Sequence, residues 1–190
     1  SRELSECEIE ALYESGSGVN TSVSISGNSE LYICDGEVIT LTATGSVMPE
    51  DNLVITAAFD GPLSGGLPKG VELYVINDIA DLSQYGIGSA NNGGGSDGEE
   101  FTFPAVSATA GQYIYVASDS AQFNNWFAFD ADYTTSVANI NGDDAMELFY
   151  NGVVIDVFGD INVDGNGEPW EYMDGWAYRN STTGPDGSTF

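Results

Sequence analysis

The chain has 190 residues, 42% of them hydrophobic, and carries 30 acidic against 3 basic side chains (Arg2, Lys69 and Arg179), for a formal net charge of −27 with no histidine. This length and apolar content exclude a disordered tail and suffice for one domain with a small appendage. The charge disfavours direct binding to nucleic acid or an anionic membrane, and suits divalent cations, high salt or a cationic partner.

Residues 4–16 carry a helix signature. Ser5 and Glu8 have the spacing of a capping box, Leu4 and Ile9 that of a hydrophobic staple, and Gly16 stands where the helix would stop. From Val19 the period changes to two, so residues 19–25, 31–34 and 37–44 read as strands between Gly/Asn/Asp turns. In an oxidising compartment Cys7 and Cys34 would form a disulfide that clips the helix to these strands; in a cytosolic one they would be two buried thiols. The Pro49-containing stretch 45–52 marks a boundary between an N-terminal helix-and-strand unit, 1–48, and a β domain, 49–190.

Residues 53–59 and 71–76 read as strands around a Gly/Pro-rich excursion, 60–68. Residues 81–88 read as a short helical turn, and 91–98 as a glycine-rich surface loop that nothing apolar anchors; it lacks the Lys of a phosphate cradle. The β pattern continues at 101–103 and 112–118. Residues 121–129 place Phe123, Trp126, Phe127 and Phe129 at helical spacing, an arrangement expected to face the core, with an exposed ligand-contact patch as the alternative. The clearest local signal is the pair of apolar runs 145–150 and 153–158 around Asn151-Gly152, a hairpin with a type I′ turn. Many short strands with little helix predict an all-β, antiparallel β-sandwich with the N-terminal unit as its appendage.

The outgoing strand of that hairpin leads into Asp160-Ile-Asn162-Val-Asp164-Gly165-Asn166-Gly-Glu168-Pro-Trp-Glu171. Oxygen-bearing side chains fall at positions 1, 3, 5, 9 and 12 with Gly at 6, the spacing of a calcium loop. Asp160, Asn162 and Asp164 are the expected side-chain ligands, Asn166 offers its carbonyl, and Glu168 and Glu171 complete the set, Glu171 with both oxygens. Gly165 is expected to permit the sharp turn. The plain alternative is a solvated acidic loop. Trp170, Tyr172, Trp176 and Tyr178 follow closely and are expected to pack beside it.

Several longer phrases carry a resemblance: Glu72-Leu-Tyr-Val75, the run 85–95 beginning Tyr85-Gly-Ile-Gly, Gly98-Glu-Glu-Phe-Thr-Phe-Pro104, residues 140–149 with 152–158, and the run 170–179 beginning Trp170-Glu-Tyr-Met. Over residues 51–190 the chain resembles the lamin-tail-type module found in secreted bacterial endonuclease/exonuclease/phosphatase-family proteins. The resemblance implies an immunoglobulin-like β-sandwich with no catalytic role of its own. Family modules continue with a further strand where this sequence has only 184–190, which implies an open sheet edge.

Without histidine, no Ser-His or Cys-His nucleophile can be assembled, and acidic pairs such as Asp143-Asp144 or Glu99-Glu100 are too common here to single out a hydrolase. Asp143, Asp144 and Glu99 read as turn and surface residues, with a second calcium site as the sharper alternative. The expectation is therefore not an enzyme but an extracellular, calcium-stabilised structural module, associating with copies of itself through edge strands as an oligomer or filament. One alternative is an accessory domain of a secreted nuclease; another is carbohydrate or surface adhesion through Trp126, Trp170 or Trp176. No stretch approaches the about 18 apolar residues of a membrane span, and no basic-plus-apolar leader opens the chain, as expected of a mature secreted form.

Overall fold

Period-two alternation decides which side chains meet in the domain that follows residue 50. The computed structural model describes residues 51–180 together with 184 and 185. The N-terminal unit, with its expected helix and strands and the Cys7 and Cys34 pair, lies outside the described residues. A long hairpin of β1 (Leu53–Leu63) and β2 (Leu67–Val75) is the centre of the first sheet. On one side it is extended by β5 (Tyr113–Ala117) and then β6 (Tyr133–Thr134), on the other by β9 (Gly175–Tyr178). The second sheet runs β4 (Phe101–Thr102), β3 (Tyr85–Ala90), β7 (Ala145–Tyr150), β8 (Val153–Phe158).

The fold is an all-β sandwich, as expected. Leu53, Ile55, Val71, Leu73 and Val75 of the first sheet share one buried core with Ile87, Met146, Leu148 and Ile155 of the second. Each such side chain contributes about 1.5–3 kcal/mol by leaving water. One pair departs from the expected antiparallel order: β5 and β6 run parallel. Parallel neighbours need a crossover, and here it carries the helix α1 (Ser120–Phe127), capped by Asp119, whose carboxylate accepts the Gln122 N–H at 2.8 Å.

The Asn151-Gly152 hairpin forms as expected, with φ of 49° and 75°, the left-handed values a type I′ turn requires. Other local expectations shift. The 60–68 excursion is mostly strand, because β1 continues to Leu63 and β2 resumes at Leu67. The helical turn shrinks to Leu82–Gln84 and gives way to β3, whose Gly86 and Gly88 conceal a strand from any propensity argument. Those glycines are needed for space: a Cβ on Gly88 would lie 2.2 Å from the Gly98 carbonyl oxygen. Of the aromatics in 121–129, Phe123 is buried against Phe59 and Ala117, while Trp126 and Phe129 remain exposed. No helix among the described residues is long and apolar enough to cross a membrane.

Strand parity also turns two charges inward. A bulge between Ile55 and Ala57 re-phases β1, so that Ala58 and then Asp60 follow Ile55 toward the interior, and Asp60 faces Lys69 across the ladder. Lys69 Nζ lies 3.2 Å from Asp60 Oδ1 and donates to Asn141 Oδ1 at 2.7 Å, while Asp60 Oδ2 accepts the Gly142 N–H at 3.2 Å. Near the other end of β1, the buried Asp156 of β8 accepts the Ile55 N–H at 2.8 Å and both its oxygens are within 2.7 Å of Arg179 Nη2. Arg179 Nε in turn donates to the Ile55 carbonyl at 2.6 Å. Removing one partner of such a pair strands a buried charge. Arg179→Met is therefore expected to lower the stability of the domain by about 3–5 kcal/mol, read as a lower urea midpoint, with part recovered in the Asp156→Leu/Arg179→Met double variant.

Candidate functional site

The loop that leaves β8 at Asp160 lies over the outer face of β3 and β7 rather than projecting into solvent. Trp170 holds it there, buried with Ala90 and Ala145 and packed against Phe158 and Ile161. Backbone hydrogen bonds join the loop to its neighbours: Gly95 N–H to the Ile161 carbonyl at 2.8 Å, Gly165 N–H to that of Asp143 at 3.0 Å, and Tyr172 N–H to that of Gly142 at 2.8 Å. Tyr172 is buried too, and its hydroxyl donates to the Asp144 carbonyl at 2.7 Å. Burial, then the nearby carboxylates of Asp144, Asp60 and Asp143, raise that phenol well above its ordinary pKa, so it remains a neutral donor. Trp176 and Tyr178 do not join this packing: β9 carries them away to pair with β1.

Within the loop, Asp160 Oδ1 accepts the Asn162 N–H at 2.9 Å and Asp164 Oδ1 accepts the Asn166 N–H at 3.0 Å. Glu171 Oε2 accepts the Gly167 N–H at 3.1 Å. Each of these carboxylates retains a second oxygen, which suits a hard cation that takes oxygen ligands from a curled backbone. The expected ligands Asn162, Asp164, Asn166 and Glu168 are exposed, and Asp160 and Glu171 partly so. Among the described residues, however, no group of three or more Asp, Glu, His or Cys side chains is gathered closely enough to hold a metal as it stands. The residues have the chemistry for calcium, in a conformation where Asp160, Asp164, Glu168 and Glu171 have not converged.

Gly165 has a different role from the one its position predicts. It is not among the positive-φ glycines; Gly167, with φ of 82°, is. Instead a Cβ on Gly165 would sit 2.5 Å from Trp170 Cη2 and 2.8 Å from the Asp143 carbonyl oxygen. The residue is glycine because the indole ring and a neighbouring loop close upon it.

The neighbouring segment, 141–144, is joined to the glycine-rich loop through Asp144. This buried carboxylate accepts the Asn92 N–H at 3.0 Å and the Asn141 N–H at 2.7 Å, and burial raises its pKa. Asp144 is thus a structural acceptor rather than a surface residue. The glycine-rich loop is consequently anchored, by backbone and by Asp144, where the sequence offered no apolar anchor.

A second surface feature lies on the outer face of the first sheet. Ala57, Phe59, Glu72, Tyr115, Trp176 and Tyr178 are cross-strand neighbours there, and with Phe127 and Phe129 they line an open groove of about 180 Å³. Trp176 and Tyr178 are 47% and 64% exposed. Glu72 is the groove's only charged side chain among the described residues, and its Oε1 accepts the Thr56 hydroxyl at 2.8 Å. Compared with known proteins, the chain matches no family model and no curated protein.

Two outcomes follow. Gly165→Ala is expected to lower the melting temperature equally with calcium and with chelator, since its cost is a packing clash of about 1–3 kcal/mol; thermal scans in both buffers check it. In the groove, burial and then the hydrogen bond to Glu72 push the Tyr115 phenol up to about 12 from 10.0. A raised acid favours the fold in its neutral form, so this contribution is intact below pH 10 and lost as the pH rises through about 12. Denaturation midpoints measured from pH 9 upward are expected to fall less steeply in Tyr115→Phe.

Proposed function

We propose that the chain is a non-catalytic extracellular structural module, braced by calcium at the Asp160 loop, that associates with further copies of itself. The observation that carries this reading is the edge of the first sheet. β9 is terminal in its sheet, pairs only with β1 among the described residues, and presents Trp176 and Tyr178 to solvent. A strand edge without a partner among the described residues, beside exposed aromatic rings, is a template for a second chain. The charge supports cation dependence. Lys69 and Arg179 are both committed to internal ion pairs, so the surface formed by the described residues is anionic, and copies of it repel until a divalent cation intervenes.

The test has two parts. Added Ca2+ is expected to raise the melting temperature, chelator to reverse the rise, and Asp160→Ala or Glu171→Ala to diminish it. Saturation of one site at a hundredfold excess over Kd corresponds to about 2.7 kcal/mol. An unchanged melting curve up to millimolar Ca2+ removes the brace. Sedimentation of the full chain is expected to show Ca2+-dependent assemblies that Trp176→Ser/Tyr178→Ser abolishes; monomers under every condition remove the assembly.

The ring-lined groove favours a second reading, adhesion to carbohydrate through Trp176 and Tyr178. Quenching of tryptophan fluorescence by soluble glycans, absent in Trp176→Ser, would distinguish it from self-association. An accessory domain attached to a secreted nuclease would use either surface. Of the other tryptophans considered for this role, Trp170 is buried and Trp126 is exposed without lining the groove.

A further inference from the structure

Glu147 is an anomaly in the second sheet. It stands in the central strand β7, opposite Gly88 of β3, and is only 1% exposed. Its parity puts it on the outer face with Ala145, beneath the glycine-rich loop, whose Gly98 carbonyl lies directly over Gly88. A strand position there calls for an apolar side chain. Instead a carboxylate is buried, and its Oε2 has no hydrogen-bond partner. A buried carboxylate oxygen left unmatched costs several kcal/mol unless it is neutralised or bound.

The groups around it do not supply a positive charge. Ser96 donates to the Glu147 carboxylate, and Asp97 and Glu100 face it as further anions; burial first and these two carboxylates second hold its pKa up. Glu100 is fixed by one oxygen only, its Oε2 accepting the Ser89 N–H at 2.8 Å and the Ser89 hydroxyl at 3.0 Å, which leaves Oε1 free. Asp97 is exposed. The loop that brings these groups together holds glycines at φ of 89° (Gly95) and 84° (Gly98), conformations in which backbone carbonyls can be aimed at one point.

We propose that Glu147, Glu100 and Asp97, with Ser96, form a second site for a hard divalent cation, calcium in particular, and that the cation secures the glycine-rich loop in its place over β3 and β7. Three carboxylates, one from β7 and two exposed ones from the run 97–100, suit the flexible coordination of Ca2+ better than the rigid octahedron of Mg2+. Binding draws the carboxylates of Asp97 and Glu100 toward the unpartnered Oε2 of Glu147. The site shares no ligand with the Asp160 loop. The loops nevertheless touch, for a Cβ on Gly95 would lie 3.9 Å from Asn162 Oδ1.

Calorimetric titration of the full chain with Ca2+ alone tests this, using wild type, Asp160→Asn/Glu171→Gln, Glu147→Gln and Asp97→Asn. The expected result is one equivalent retained in Asp160→Asn/Glu171→Gln, lost when Glu147→Gln is added, with Ca2+-induced amide-exchange protection at 93–98 lost in Glu147→Gln and weakened at least tenfold in affinity in Asp97→Asn. Asp97 is exposed, so that variant serves even if Glu147→Gln fails to fold. Unchanged stoichiometry in a folded Glu147→Gln, together with unchanged affinity in Asp97→Asn, overturns the proposal and identifies Glu147 as a neutral buried acid. Loss of all binding in Asp160→Asn/Glu171→Gln also overturns it while leaving the first site standing. Retention of every equivalent in that variant, with loss in Glu147→Gln, has the opposite meaning.

Discussion

Two buried ion pairs join the sheets of this sandwich, and they consume both of the cationic side chains that the described residues contain. Each pair is bonded to a segment beyond its own strand pair. Asp60 and Lys69 belong to the β1–β2 hairpin and are bonded to Asn141 and Gly142 just before β7. Asp156 belongs to β8 and, with Arg179, takes the Ile55 N–H and carbonyl of β1 where β9 no longer covers that edge. Such pairs contribute less to net stability than an apolar substitute of the same shape. Their value here is registry: each is satisfied only when a particular strand of one sheet lies over a particular segment of the other.

That arrangement explains why so acidic a chain can still be a sandwich. The hydrophobic core is contiguous across both sheets and carries the driving force. The ion pairs sit at its margins, where the alternation of β1 and β2 places Asp60 and Lys69 inward in the same phase as Val71, Leu73 and Val75. Beside the Asp60–Lys69 pair the acids outnumber the available bases. Asp144 finds backbone donors instead, and Tyr172 remains a neutral phenol beside three carboxylates.

How much of this was legible in the sequence depends on the range of the interaction. The Asn151-Gly152 hairpin, the turn-rich strands and the all-β class are products of local spacing, and the structure carries them. The β3 strand was hidden because Gly86 and Gly88 depress β propensity locally, while the reason for them, the Glu99 side chain and the Gly98 carbonyl packed on that face, comes from a loop about a dozen residues away. Gly165 shows the same limit at a candidate site: its position in a calcium-loop spacing predicted a backbone role, whereas Trp170 and the Asp143 carbonyl give it a packing one. The inward parity of Lys69 with Val71 and Leu73 was a readable signal for the Asp60 pair. Nothing local marked Glu147, which alternation alone would have placed on a solvated outer face, since its burial is created by the glycine-rich loop folding back.

The loops over that outer face therefore form one layer rather than separate features. The glycine-rich loop is held by Asp144 and by the Ile161 carbonyl, and the Asp160 loop by Trp170 and the Asp143 carbonyl. Backbone bonds and one indole ring fix their main chains, while the carboxylates they carry are left without a cationic side chain nearby among the described residues. Coulomb repulsion among such groups is weak where they are solvated and grows steeply as the surroundings become apolar. It is thus concentrated at Glu147 rather than spread over the exposed acids. On the proposed sites, a cation at Glu147 would act on a buried carboxylate, and one at Asp160 to Glu171 on more solvated ones. Were both proposed sites to bind, that difference in burial, and not the number of carboxylates each loop carries, would decide which loop gains more from a divalent ion.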